Sequence, residues 1–220
     1  MATTFFPRNA APVTDVTLSS QAGSSYTGTH KGLSLTRGAA AATQTDNTIA
    51  GSGAGSEIAG WGGTSFLNGL LFISEPLDAV NISGTITANL RASESNAMAN
   101  YGVAIHIFAI DATGQVQDSS GAVSFSNQGT ELGTSEAARS WNPTIFSSPI
   151  VVPSGGRLLV ILEWGETGGT SASGFTASGF YDGLSGATGD TFVTFTEAIT
   201  VQSAATFIPY RNPYPSLLVQ

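Results

Sequence analysis

The chain has 220 residues, no cysteine, 27 glycines and a net charge of −8, with 41% hydrophobic but only 10% charged residues. The lack of cysteine excludes a disulfide framework and any thiolate metal or nucleophile site. Seven basic residues make neither the basic footprint of a nucleic-acid binder nor the polybasic patch that reads anionic lipid. No 18-residue apolar stretch occurs, so no membrane span is expected, and "MATTFFPRNAAPV" lacks the apolar region of an export signal. The polarity comes from Ser, Thr, Asn, Gln and Gly, which suits a chain that packs against neighbours or works outside a cell.

In chain order, residues 1–36 carry weak strand signals around "TTFFPRN" and read as an N-terminal arm with a first strand. "GAAAATQTDN" (Gly38–Asn47) lacks the apolar stripe of a helix, and "GSGAGS" (Gly51–Ser56) lacks the Lys-Ser/Thr ending of a phosphate loop. Strands are expected at Thr64–Ile73, at Ala79–Leu90 with a kink or bulge at Ser83–Gly84, and at Tyr101–Ile110. The last puts Tyr101, Val103, Ile105, Ile107 and Ala109 on one face. "DATGQ" (Asp111–Gln115) reads as a turn, and "SEAARS" (Ser135–Ser140) as at most one helical turn. Further strands are expected at Pro143–Val152, Arg157–Trp164, Phe175–Gly183 and Thr191–Val201. "SAATFIPYRNPYPSLLVQ" (203–220) holds three prolines, which break sheet pairing, and reads as an extended arm. About eight strands with turn punctuation predict an all-β chain: a jelly-roll-like β-sandwich over 37–202 between arms 1–36 and 203–220.

Candidate chemistry is sparse. His30 and His106 form no evident pair and are expected to be structural, and no metal-ligand spacing appears. Glu163 and Glu166 flank Trp164 and are the best acid pair for a glycosidase. Trp61, Trp141 and Trp164 are candidates for a carbohydrate contact. Asp182 and Asp190 lie in loops but lack the spacing of a calcium loop. "NIS" (Asn81–Ser83) fits the glycosylation pattern by chance, inside a strand. "RASESNAMAN" (Arg91–Asn100) has the polarity of a catalytic loop but no base, nucleophile or metal ligand with it. It reads as a connector, with Arg91 and Glu94 paired weakly at its surface. No catalytic residue, cofactor or metal is expected, and the chain is read as a non-enzyme.

The stretch "SGTITANLRASESNAMANYGVAIHIF" (Ser83–Phe108) resembles a group of jelly-roll virion proteins of tailed bacteriophages. "MATTFFPRNAAP", "GTELGTSEAARSW" (Gly129–Trp141), "SGGRLLVILEW" (Ser154–Trp164) and "DTFVTFTEAI" (Asp190–Ile199) resemble the same group in the same order. The resemblance implies a structural virion protein assembled in the bacterial cytoplasm, with no active site to carry over. It implies a capsid-surface accessory or decoration subunit, with a tail-associated subunit or a host-attachment carbohydrate-binding module as alternatives. Its partners would be major capsid or tail proteins and further copies of itself, since particle symmetry favours trimers or rings. Docking residues expected in the arms are Phe5, Phe6, Arg8, Phe207, Tyr210, Arg211 and Tyr214.

Overall fold

A computed structural model describes residues 1–12, 16, 18, 31–38, 42–47, 68–99, 101–117, 123–126, 132–145, 149–166, 175–183 and 190–202, with 42–47, 68–70, 102–106, 123–126, 141–145 and 163–166 described by their backbone. These residues are all-β. In chain order the strands are β1 (Thr3–Pro7), β2 (Lys31–Ser34), β3 (Ala42–Asn47), β4 (Asn68–Ser74), β5 (Val80–Ile82), β6 (Thr85–Glu94), β7 (Tyr101–Ile110), β8 (Val123–Ser126), β9 (Ala137–Ile145), β10 (Ile150–Val152), β11 (Arg157–Glu166), β12 (Thr176–Tyr181) and β13 (Phe192–Phe195).

The continuous apolar run "RLLVILEW" becomes β11, flanked by β4 and β7 with antiparallel pairing on both edges. An unbroken apolar run marks a strand buried on both faces, and β11 is one. Leu158, Val160 and Leu162 enter the main core, while Leu159 and Ile161 enter a second core with Leu71, Ile73, Phe108 and Ile110. Val16, Leu18 and Val116 pack against that second core.

The main sheet runs β3-β12-β6-β13-β1-β2-β4-β11-β7-β8, and β9 also pairs with β6. β1 is the joint. Thr3–Phe5 pair with β13, while Phe6 and Pro7 pair with β2. β2 and β4 are parallel; the other pairings are antiparallel. The two halves on either side of β1 both contribute to one core. Phe72 of β4 meets Tyr181 of β12 edge-on at 5.2 Å, and Phe5 meets Phe195 at 6.0 Å. Core residues from β6, such as Ile86 and Leu90, join those of β7 and β11 in the same cluster.

Several expectations need correction. Ala79–Leu90 is two strands. β5 pairs with β10 in a separate two-stranded sheet, and β6 enters the main one. The break falls at Ser83–Gly84, where both backbone N–H groups donate to Glu197 Oε1 at 2.8 and 2.5 Å. A Cβ on Gly84 would lie 2.0 Å from Thr196 Oγ1, so the crossing admits only glycine without movement. Pro143–Val152 likewise divides between β9 and β10, and "SEAARS" leads into β9 rather than forming a helical turn. β6 continues through Arg91–Glu94, so the connector to β7 is shorter than expected. Residues 3–7 form the first strand, and Phe5 within it is fully buried. The C-terminal arm, 203–220, lies outside the described residues.

Candidate functional site

Arg91 stands at the end of β6 with its side chain only 6% exposed. Its Nε donates to Glu136 Oε1 at 2.6 Å, and Nη2 reaches the same oxygen. The guanidinium lies 5.7 Å from the centre of the Phe180 ring. Burial pulls the Arg91 pKa down, and Asp190 works against that pull; an arginine stays charged regardless. The expected surface pair of Arg91 with Glu94 is therefore replaced by a pair with Glu136, in a setting that is mostly buried. β6 alternates faces, so two residues three apart point to opposite sides.

Glu94 is also buried, and its Oε2 accepts from the Tyr101 backbone N–H at 3.2 Å. Glu94 N donates to Gly133 O and Leu132 N to Tyr101 O, which ties the "ELGTSE" segment to both strands. Ser95 N donates to Thr176 O, and Ser95 Oγ accepts from Thr176 N, both at 2.9 Å. Asn96 Oδ1 caps the turn by accepting from Met98 N. Short polar side chains do this in turns. The polarity that resembles a catalytic loop is spent on the backbone.

A second cluster surrounds the excursion between β12 and β13. β12 and β13 run along one edge of β6 in succession, Ala177–Phe180 against Glu94–Arg91 and Phe192–Phe195 against Asn89–Ile86. Thr191 closes the gap. Its Oγ1 donates to Phe180 O at 2.5 Å and accepts from Arg91 N at 3.1 Å. The excursion is held at each end by an arginine. Arg8 Nε meets Asp182 Oδ1 at 2.6 Å, and Arg37 Nη1 pairs with Asp190. Asn9 N donates to Asp182 Oδ2 at 2.7 Å, while Lys31 Nζ donates to Asn9 Oδ1 at 2.7 Å and lies over the Tyr181 ring. Asp182 has φ of 58°, a left-handed conformation that Asp tolerates. Arg8 and Arg37 are charged partners of Asp182 and Asp190. Beside this cluster a half-open cleft of about 260 Å³ is lined by Arg8, Pro12, Leu33, Ser34 and Glu75 among others.

Of the proposed docking and sugar-binding residues, Phe5, Phe6, Arg8, Trp141 and Trp164 lie among the described residues. Phe5 is fully buried in β1, Phe6 is half-buried in the same strand, and Arg8 is held by Asp182 and by Thr36 O. Phe207, Tyr210, Arg211, Tyr214, Trp61 and His30 lie outside the described residues. Trp141 sits opposite Ala88 in one half of the sheet, and Trp164 opposite Asn68 and Val103 in the other. The register does not bring these two into one platform. Glu163 and Glu166 lie in β11 at positions an odd number apart, Glu163 opposite Gly69 and Ala104 and Glu166 opposite Tyr101. His106 lies in β7, opposite Ile161. Among the described residues, no group of three or more His, Cys, Asp or Glu is placed to hold a metal.

Sequence reading missed Glu136, Thr191, Asn89 and Arg37. Asn89 joins the second cluster by donating to Asp190 O, and it accepts from Ser140 Oγ. Their partners are 11 to 153 residues away, and no local pattern signals such a pairing.

No family model matches the sequence, and no curated protein does. Solved structures share the fold. An aminopeptidase from the marine sediment archaeon Thaumarchaeota archaeon matches 91% of this chain at 13% identity with a TM-score of 0.54. The match covers 37% of the aminopeptidase chain, so this chain spans little more than a third of that protein's length. Fainter likenesses are to a CocE/NonD family hydrolase from Staphylococcus aureus (11% identity, 89% of this chain and 36% of that one, TM-score 0.49) and to infectious bursal disease virus, Gt strain (9%, 74% and 36%, TM-score 0.34). At these identities the likeness is one of fold, and it assigns no residue a role.

Proposed function

We propose that this chain is a non-enzymatic structural component of a tailed-phage virion, an accessory subunit of the capsid surface that docks through residues 203–220. One observation carries the reading. The motifs that resemble phage virion proteins meet in space as a buried tie: Arg91 and Glu94 from one segment are joined to Glu136, Gly133 and Leu132 from another. What distinguishes the sequence is thus a device for fixing a β framework. Arg8, Lys31, Arg37 and Arg157 serve the same end, each bonded within the chain.

The docking part is tested by deleting residues 206–220 and quantifying the chain in purified particles. The expected outcome is loss of incorporation, while circular dichroism and the unfolding midpoint of the domain stay unchanged. Wild-type occupancy of the truncated chain contradicts the docking role.

A further inference from the structure

Among the described residues, the first strand is held by distant parts of the chain. Thr3, Thr4 and Phe5 pair with Phe195, Thr194 and Val193, and Thr3 Oγ1 donates to Glu197 O and accepts from Ile199 N, both at 2.8 Å. Arg8 N donates to Gly32 O, and Gly32 N to Ala10 O. Arg8 and Asn9 are fixed to Asp182. Val16 and Leu18 pack on the second core, formed by β4, β7 and β11. Residues 1–12, 16 and 18 thus dock into a groove made by β13, β2 and the outer face of β11, and the twelve residues 19–30 separate them from β2. Fully extended, twelve residues span about 40 Å.

We propose that the groove between β13 and β2 accepts the β1 strand of a second copy of this chain, so that copies link by exchanging residues 1–18. Exchange of an identical element preserves every contact above while converting it from intramolecular to intermolecular, so it costs little beyond the loss of freedom on association. β1 is also the one strand joining the two halves of the main sheet. Its donation therefore completes the acceptor, whose β13 and β2 otherwise present open edges. Close packing of copies raises the effective concentration of the donor strand. The proposal holds whether or not the chain resides in a virion.

The chain has no cysteine, so engineered thiols report cleanly. Thr4 and Thr194 are register partners whose hydroxyls lie 2.8 Å apart, within the range that a disulfide spans. Full-length Thr4→Cys and Thr194→Cys chains, differently tagged, are mixed, unfolded, refolded together at high concentration and oxidised. Exchange predicts a covalent heterodimer of twice 22.4 kDa, linked between positions 4 and 194 on peptide mapping. Its yield should be several-fold above that of Thr4→Cys with Thr113→Cys, whose thiol sits on the exposed Asp111 turn. A yield no higher than this control overturns the proposal, provided the Thr4→Cys/Thr194→Cys double variant closes on itself. Failure of the double variant to close overturns the register on which the proposal rests.

Discussion

Arg91 shows how much one residue decides. It is a buried cation with one carboxylate partner, and that partner, Glu136, is 30% exposed. Removing one member of a fully buried pair costs about 3–5 kcal/mol because the other charge is stranded; partial exposure of Glu136 lowers this. Glu136→Gln should destabilise the domain by about 2 kcal/mol, read as a shift in the denaturant midpoint at constant slope. Asp111 works by hydrogen bonding. Burial alone would raise its pKa, but bonds from Gln115 N, the Thr113 hydroxyl and N–H, and the Gln117 amide outweigh that and lower it. A carboxylate with a depressed folded pKa stabilises above its unfolded value, about 4, and that stability is lost as pH falls through the folded value. Asp111→Ala should therefore be less stable than wild type at pH 6, with the gap narrowing below about pH 4. A gap independent of pH would contradict the assignment.

At the scale of elements, legibility followed period and burial. Tyr101–Ile110 was expected as a strand and is β7 to the residue, because apolar residues alternate without interruption and turn residues bound it. The register of Val80, Ile82, Ile86 and Ala88 also holds, since all four face the main core. Their division between two sheets was not legible, because a kink at Ser83–Gly84 and a crossing there have the same local signature. What separates them is Glu197, 113 residues away from Gly84. β3 is polar throughout, "ATQTDN", and forms as an edge strand on β12. β9 starts in "AARS", whose alanines favour helix, yet pairing with β6 over Thr85–Ala92 prevails. Arg91–Glu94 looked like a connector for the same reason: its charge suggested solvent, and only tertiary partners make it strand. Of the site, the sequence supplied Arg91 and Glu94 but not Glu136 or Thr191, since those meet it through the packing of β12, β13 and the start of β9.

For the whole molecule, low charge and ion pairing belong together. With few cations, each described one that forms a pair or a carbonyl bond fixes a loop or strand end: Arg8 and Arg37 the β12–β13 excursion, Arg91 the β6–β7 connector, Arg157 the end of β4 through Ser74 O. Among the described residues, Arg91, Glu94 and Arg157 are buried, while Arg8 and Arg37 keep part of their side chains at the surface. The proposed role as a building block of a phage particle is tested by copy number per purified, washed particle, read by quantitative mass spectrometry. A capsid-surface subunit is expected in many copies in a fixed ratio to the major capsid protein, as closed symmetry requires. Absence of the chain from particles, or a trace amount in no fixed ratio, would contradict it.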